Sequence, residues 1–210
     1  MRVFSFFSIV IYILSPELLL SDSQKGDKFF KILSSHQYFS SSFEQITKSH
    51  DQERVIKGEI VADRFGRFKL NYFAPLNEII FSDGKDLYRY DPELDQAYIQ
   101  PIDDLLKETP IGLFTLEKEA LKQIFSVDSC KDKESIMICR LSPIKEVSFV
   151  EEVVFNIRDE LIYQLSYRDT FDQKVTLIFN NPTKEKIPLS EFKFIIPKGT
   201  DIVSFKNTLE

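Results

Sequence analysis

The stretch GEIVADRFGRFKLNYFAP, residues 58–75, decides the fold. Ile60, Ala62, Phe68, Leu70 and Tyr72 share one parity, and Arg64 shares it too. Strand side chains alternate between two faces, so this parity sets a row of apolar groups on one face and a permanent cation among them. Phe65-Gly66 interrupts the run, which reads as two strands joined by a short connection rather than one long strand.

The same alternation extends on both sides. FEQIT, residues 43–47, and RVIKGEIVAD, residues 54–63, precede the break, and RFKLNYF, residues 67–73, follows it. NEIIFSDGKDLYRYD, residues 77–91, holds Asp83-Gly84 between two apolar runs, the signature of a two-residue type I′ hairpin. That turn sets Ile80 opposite Leu87 and Ile79 opposite Tyr88. DQAYIQ continues the sheet, as do EVSFVEEVVFNI, LIYQLSYRD and KVTLIFN further on, and SEFKFIIPKGTDIVSF reads as a last strand ending at a Pro-Lys-Gly turn.

Two segments have helical spacing instead. Residues 24–37 place Phe29, Phe30 and Leu33 on one side with lysines between them. Residues 103–125 begin a short helix at Thr109-Pro110 and a second one capped by Thr115, with Leu113, Phe114 and Leu116 among the apolar positions. The order is helix, strands, helical insert, strands. About 9–11 strands with hairpin connections imply one antiparallel sheet, and a sheet that long curls. The expected fold is therefore mainly β (α+β): an unclosed antiparallel barrel whose helices form a lid over a concave hydrophobic face. Ile60, Phe68, Leu70, Ile80, Leu87, Val153 and Phe155 are expected to line a cavity there.

The totals fit one domain. The chain has 210 residues, a net charge of -6, twenty phenylalanines and no tryptophan. Phenylalanine brings large apolar area with no polar atom to satisfy, suited to a dense core or an oily lining. The acidic balance speaks against nucleic acid as a partner. Residues 1–23 carry Arg2, an apolar run from Val3 to Leu14, and small residues Ser21 and Ser23 before the expected cut, the layout of a cleaved secretory signal. Residues 24–210 would then form a single exported domain of net charge -5, since Arg2, Glu17 and Asp22 leave with the signal. An exported compartment permits a disulfide between Cys130 and Cys139, which flank the polar turn KDKES; two small unpaired core residues are the other reading. The two histidines, His36 and His50, have no metal-ligand spacing with the cysteines, and neither a nucleophile elbow nor a phosphate-cradling loop is present. No catalytic, metal or cofactor site is expected.

The chain resembles the LolA-type outer-membrane lipoprotein carrier family across its mature length. FEQIT, GEIVADRFGRFKLNYFAP, IIFSDGKDLYRYDPELDQA, ETPIGLF and FKFIIPKG carry the resemblance, and the pattern from Ser82 to Gln96 is its most specific piece. The resemblance implies a monomeric periplasmic carrier. It would accept triacylated lipoproteins from an inner-membrane ABC transporter and pass them to an outer-membrane lipoprotein receptor. A sensory module binding lipid or protein on the same half-barrel is the alternative. The resemblance also implies a role for Arg64: it would latch the lid shut by hydrogen bonds to lid carbonyls when the cavity is empty. Phe65 stands where the family usually has proline, and Leu70 and Tyr88 stand where many members have tryptophan.

Overall fold

The structure, a computed structural model, describes residues 22–50, 52–102, 106, 109–144, 150–169 and 171–205. The signal segment, residues 1–23, falls outside these but for its last two residues. Helix α1 (Asp22–Ser35) leads into strands β1 (Tyr38–Ser49), β2 (Gln52–Asp63), β3 (Arg67–Tyr72), β4 (Ile79–Asp83), β5 (Asp86–Asp91) and β6 (Gln96–Pro101). Two short helices follow, α2 (Gly112–Thr115) and α3 (Lys118–Ile124). The chain then returns to the sheet with β7 (Phe125–Lys133), β8 (Ile136–Pro143), β9 (Val150–Arg158), β10 (Leu161–Asp169), β11 (Lys174–Thr183) and β12 (Asp201–Ser204). No described helix is long and apolar enough to cross a membrane.

All twelve strands form one sheet in the order β12-β6-β5-β4-β3-β2-β1-β11-β10-β9-β8-β7. The end strands β12 and β7 do not pair, so the sheet curls without closing into a barrel. Every pairing is antiparallel except β12 with β6, which is parallel. The first and second halves of the sheet meet where β1 pairs with β11, Phe43 opposite Phe179 and Gln45 opposite Leu177.

Three local expectations need correction. The β4–β5 hairpin closes two residues wider than a type I′ turn allows: Ser82 lies opposite Leu87 and Ile80 opposite Arg89. The reason is the Asp83 side chain, whose Oδ1 accepts from the amides of both Lys85 and Asp86 at 2.9 Å and holds a four-residue loop. Because the offset is even, Ile80 and Leu87 keep the faces the alternation assigned them. Thr115 does not cap α3; it ends α2, where its hydroxyl donates back to the Ile111 carbonyl at 3.0 Å.

The last strand also lies later than its apolar alternation suggests. Residues 189–192 form a 3-10 turn, and residues 193–197 take no strand pairing. Phe194 instead packs on Phe81 and Tyr90, ring centroids 5.5 Å from each. These rings point away from the concave side, so the segment covers the outer face of β4 and β5. Gly199 then turns the chain at φ +99°, and β12 adds to the edge.

The core divides in two. On the β7–β10 side, α1 fills the concavity: Phe29 lies fully buried against Phe155, rings 5.1 Å apart, with Leu33, Leu141 and Val153 around them. Cys130 and Cys139 stand directly opposite each other on β7 and β8, fully buried and joined by a disulfide. On the other side, α2 lays Phe114 over Phe39 and Phe179, with centroids at 4.7 and 5.6 Å. Gly112 permits that approach, since an added Cβ would run into the Leu106 carbonyl.

Candidate functional site

Between α2 and the sheet the concavity is not filled. A cavity of about 280 Å³ remains, lined by Ile60, Phe68, Leu70, Ile80, Leu87, Phe114, Leu165, Leu177 and Phe179. Ile60, Phe68, Leu70, Ile80 and Leu87 are residues that alternation placed on this face, and register brings them together: Ile60 opposite Leu70, Leu70 opposite Ile80. Val153 and Phe155, expected on the same wall, do not line it. They share its parity pattern but lie fully buried under α1, where helical side chains occupy the space. Leu165, Leu177 and Phe179 were missed; their own alternation on β10 and β11 carries the signal.

Arg64 sits at one end, just past β2, and is 8% exposed. Its Nε donates to the His36 carbonyl at 3.2 Å and Nη2 to the Leu33 carbonyl at 2.8 Å. Nη1 donates to the carbonyls of Leu113 at 2.9 Å and Leu116 at 2.7 Å. The acceptors close the C-terminal ends of α1 and α2, whose last carbonyls have no partner within their own helix and carry the negative end of the helix dipole. One guanidinium, with five donors in a rigid fork, thus ties both covering helices to the sheet. Burial pulls its pKa down to about 10, with the Glu117 charge acting against the fall, so it stays a cation at neutral pH.

The turn that aims Arg64 is held by Asp63, a residue the sequence reading passed over. Its carboxylate is fully buried. Oδ1 accepts from the amides of Phe65 at 2.9 Å and Arg67 at 3.2 Å, and Oδ2 pairs with the Arg67 guanidinium at 2.7 and 2.5 Å. Arg67 in turn lies over the rings of Phe65 and Phe192, at 5.2 and 5.5 Å. A proline at position 65 has no N–H to give Asp63, so the residue found here adds a bond to the turn that the usual family residue lacks.

His36 is the other unforeseen group. Its ring is 2% exposed, and neither nitrogen meets a partner in hydrogen-bond geometry among the described residues. Burial lowers its pKa from the ordinary imidazole value; the Lys184 and Arg64 charges add to the fall, while the backbone and carboxylate of Glu160 work against it.

The chain matches the family model of the outer membrane lipoprotein carrier protein LolA over residues 34–195. It belongs to the LolA family. Among curated relatives, the outer-membrane lipoprotein carrier protein of Pseudomonas putida KT2440 is 28% identical over 183 residues, covering 86% of this chain and 88% of that protein. The protein of the same name from Pseudomonas fluorescens Pf0-1 is 27% identical over 203 residues, covering 92% and 98%. A solved structure of an uncharacterized conserved protein from Thermus thermophilus superposes with a TM-score of 0.56 at 10% identity, covering 86% of this chain and 99% of that one. That last likeness is one of fold alone.

Within this LolA-family fold, the cavity is not wholly apolar. Gln45, Tyr72, Arg89, Gln100 and Tyr167 line it, together with Thr109 from the connection leading into α2. Arg89 is paired with the buried carboxylate of Glu78. Burial raises the pKa of both phenols, that of Tyr167 to about 12, so both keep their O–H at neutral pH.

Proposed function

We propose that this LolA-family chain is a non-enzymatic periplasmic carrier whose cavity shelters the acyl chains of lipoproteins. In this reading residues 1–23 are a cleaved export signal and residues 24–210 the carrier domain, working as a monomer. Triacylated lipoproteins arrive from an ABC transporter of the inner membrane and leave to a lipoprotein receptor of the outer membrane. The observation that carries the reading is Arg64, bound to four carbonyls of the covering segments beside an apolar void.

The energetics favour a gated hollow. Each methylene moved from water into hydrocarbon gains ~0.8 kcal/mol, so one long acyl chain exposed to water costs on the order of 10 kcal/mol. A carrier must recover much of that without matching the donor or acceptor. Small-molecule pockets span roughly 300–1,000 Å³; a cavity of about 280 Å³ lies just below that range and is too small for three long chains, so loading requires the helices to move. Charge-assisted hydrogen bonds of roughly 1.5–3 kcal/mol each are strong enough to close such a lid and weak enough for entering hydrocarbon to replace. Mass spectrometry of the protein purified from envelope extract tests the reading. Diacylglyceryl-cysteine proteins bound to it are expected. Free lipids alone would favour the sensory-module alternative.

A further inference from the structure

We infer that the polar end of the cavity is a carbonyl-recognition subsite: Tyr72 and Tyr167 donate hydrogen bonds to the acyl ester groups of the cargo. The tails would run from there toward Phe68, Phe114 and the Arg64 end. The inference rests on the carrier reading and deepens it by fixing which way the ligand lies.

Position is the first argument. Tyr72 shares a face with Phe68 and Leu70 on β3. Four residues of strand separate it from Phe68, about 13 Å at the usual rise. Tyr167 lines the same cavity from β10, and its charge, with those of Glu78 and Arg89, bears on the Tyr72 phenol. Along β3 the cavity therefore has an axis, from Phe68 near Arg64 to the phenol of Tyr72.

Chemistry is the second. Neither phenol has a hydrogen-bond partner among the described residues, although both tyrosines belong to the cavity wall. Both tyrosines are half-buried, so each hydroxyl is left open to the void rather than sealed inside the wall. A purely packed core would place phenylalanine here, as this chain does at Phe29, Phe39, Phe68 and Phe155. The set offers O–H and N–H donors, while its carboxylate, Glu78, is occupied by Arg89. An ester has acceptors and no donor, so it suits this end; a plain hydrocarbon would leave the phenols unpaired.

The test compares a fluorescent triacylated cysteinyl peptide with its analogue in which both glyceryl esters are ethers, and uses palmitate as competitor. Wild-type protein is expected to bind the ester form about tenfold more tightly, the effect of two neutral hydrogen bonds. The variant Tyr72→Phe/Tyr167→Phe keeps both rings, and is expected to bind the two forms equally with its affinity for the ether form unchanged. Equal binding of both forms by wild type, or an ester preference that survives in the variant, overturns the subsite while leaving the carrier reading standing. Palmitate displacing the peptide at matching concentrations would assign the end to a carboxylate and overturn it too. Failure of wild type to bind either peptide would overturn the carrier reading, and the subsite with it.

Discussion

Arg64 and Leu116 are 52 residues apart in the chain, yet Nη1 of one donates to the carbonyl of the other at 2.7 Å. The same nitrogen also holds Leu113, so α2 is fastened at both ends of its last turn. This contact joins the β2–β3 turn to the segment that roofs the cavity.

Arg64→Leu leaves four carbonyls without their donor and, in the carrier reading proposed above, removes the competition between a closed lid and the cargo. The variant is expected to retain bound lipoprotein longer and transfer less of it to an acceptor membrane. Arg64→Lys, a point charge without the planar fork, should fall between the two. Transfer assayed from preloaded protein checks this; wild-type rates in Arg64→Leu would reject the latch.

Asp63 acts on the same turn from beneath. Asp63→Ala strips two amides and the partly exposed Arg67 guanidinium of their acceptor, at a cost of about 3–5 kcal/mol. For a chain of this size that lowers Tm by roughly 6–20 °C. Phe65→Pro removes the amide bond to Asp63 and the ring beneath Arg67, and should cost about 1–2 kcal/mol. Thermal unfolding followed by circular dichroism separates them; a Phe65→Pro variant less stable than Asp63→Ala would contradict the assignment.

The cavity wall is tested by Leu70→Glu. Leu70 is only half-buried and faces the void, so a carboxylate there stays hydrated and the fold should survive. Uptake of acylated cargo should drop severalfold, because entering hydrocarbon must desolvate the new charge. Normal uptake by a folded variant would remove Leu70 from the wall.

His36 predicts an acid-sensitive closure. Its folded-state pKa lies below the ordinary 6.5, so in mild acid the unfolded chain binds more protons and stability falls with pH. The loss begins as pH drops through about 6.5 and is absent near pH 8. The charges facing the ring are those of Glu160, Lys184 and Arg64. His36→Phe should flatten the dependence of Tm on pH between about 7 and 5.5. An unchanged slope would show that other groups set it.

The Cys130–Cys139 bond spans a sequence separation of 9 and lies on the side of the core filled by α1. A loop of that size contributes roughly 2.5–3 kcal/mol in the chain-entropy account. Replacing both cysteines by alanine should therefore lower Tm by several degrees while leaving cargo uptake at the wild-type level. Lost uptake in a folded variant would mean that the two halves of the core are coupled.

Much of the site was legible because alternation is a local property. Ile60, Phe68, Leu70, Ile80 and Leu87 could be set on one face from their spacing, and even the two-residue error in the β4–β5 register left them there. Val153 and Phe155 read identically, yet belong to a packed core. A wall residue and a core residue differ only in what stands opposite, and for Phe155 that is Phe29 of α1. The tail from Phe192 to Pro197 failed for a related reason. Its alternation records docking on the outer face, where apolar side chains are covered without backbone pairing.

The order of amino acids by itself established a long curled sheet, two helical segments and one cation on an apolar face, because each of these is written in the spacing of near neighbours. Only the tertiary structure decided that the concavity is half filled and half empty. It also decided that Arg64 meets the ends of two helices and that two tyrosines mark the far end of the void. Those facts depend on where distant segments come to rest, and no local period encodes the distance between them.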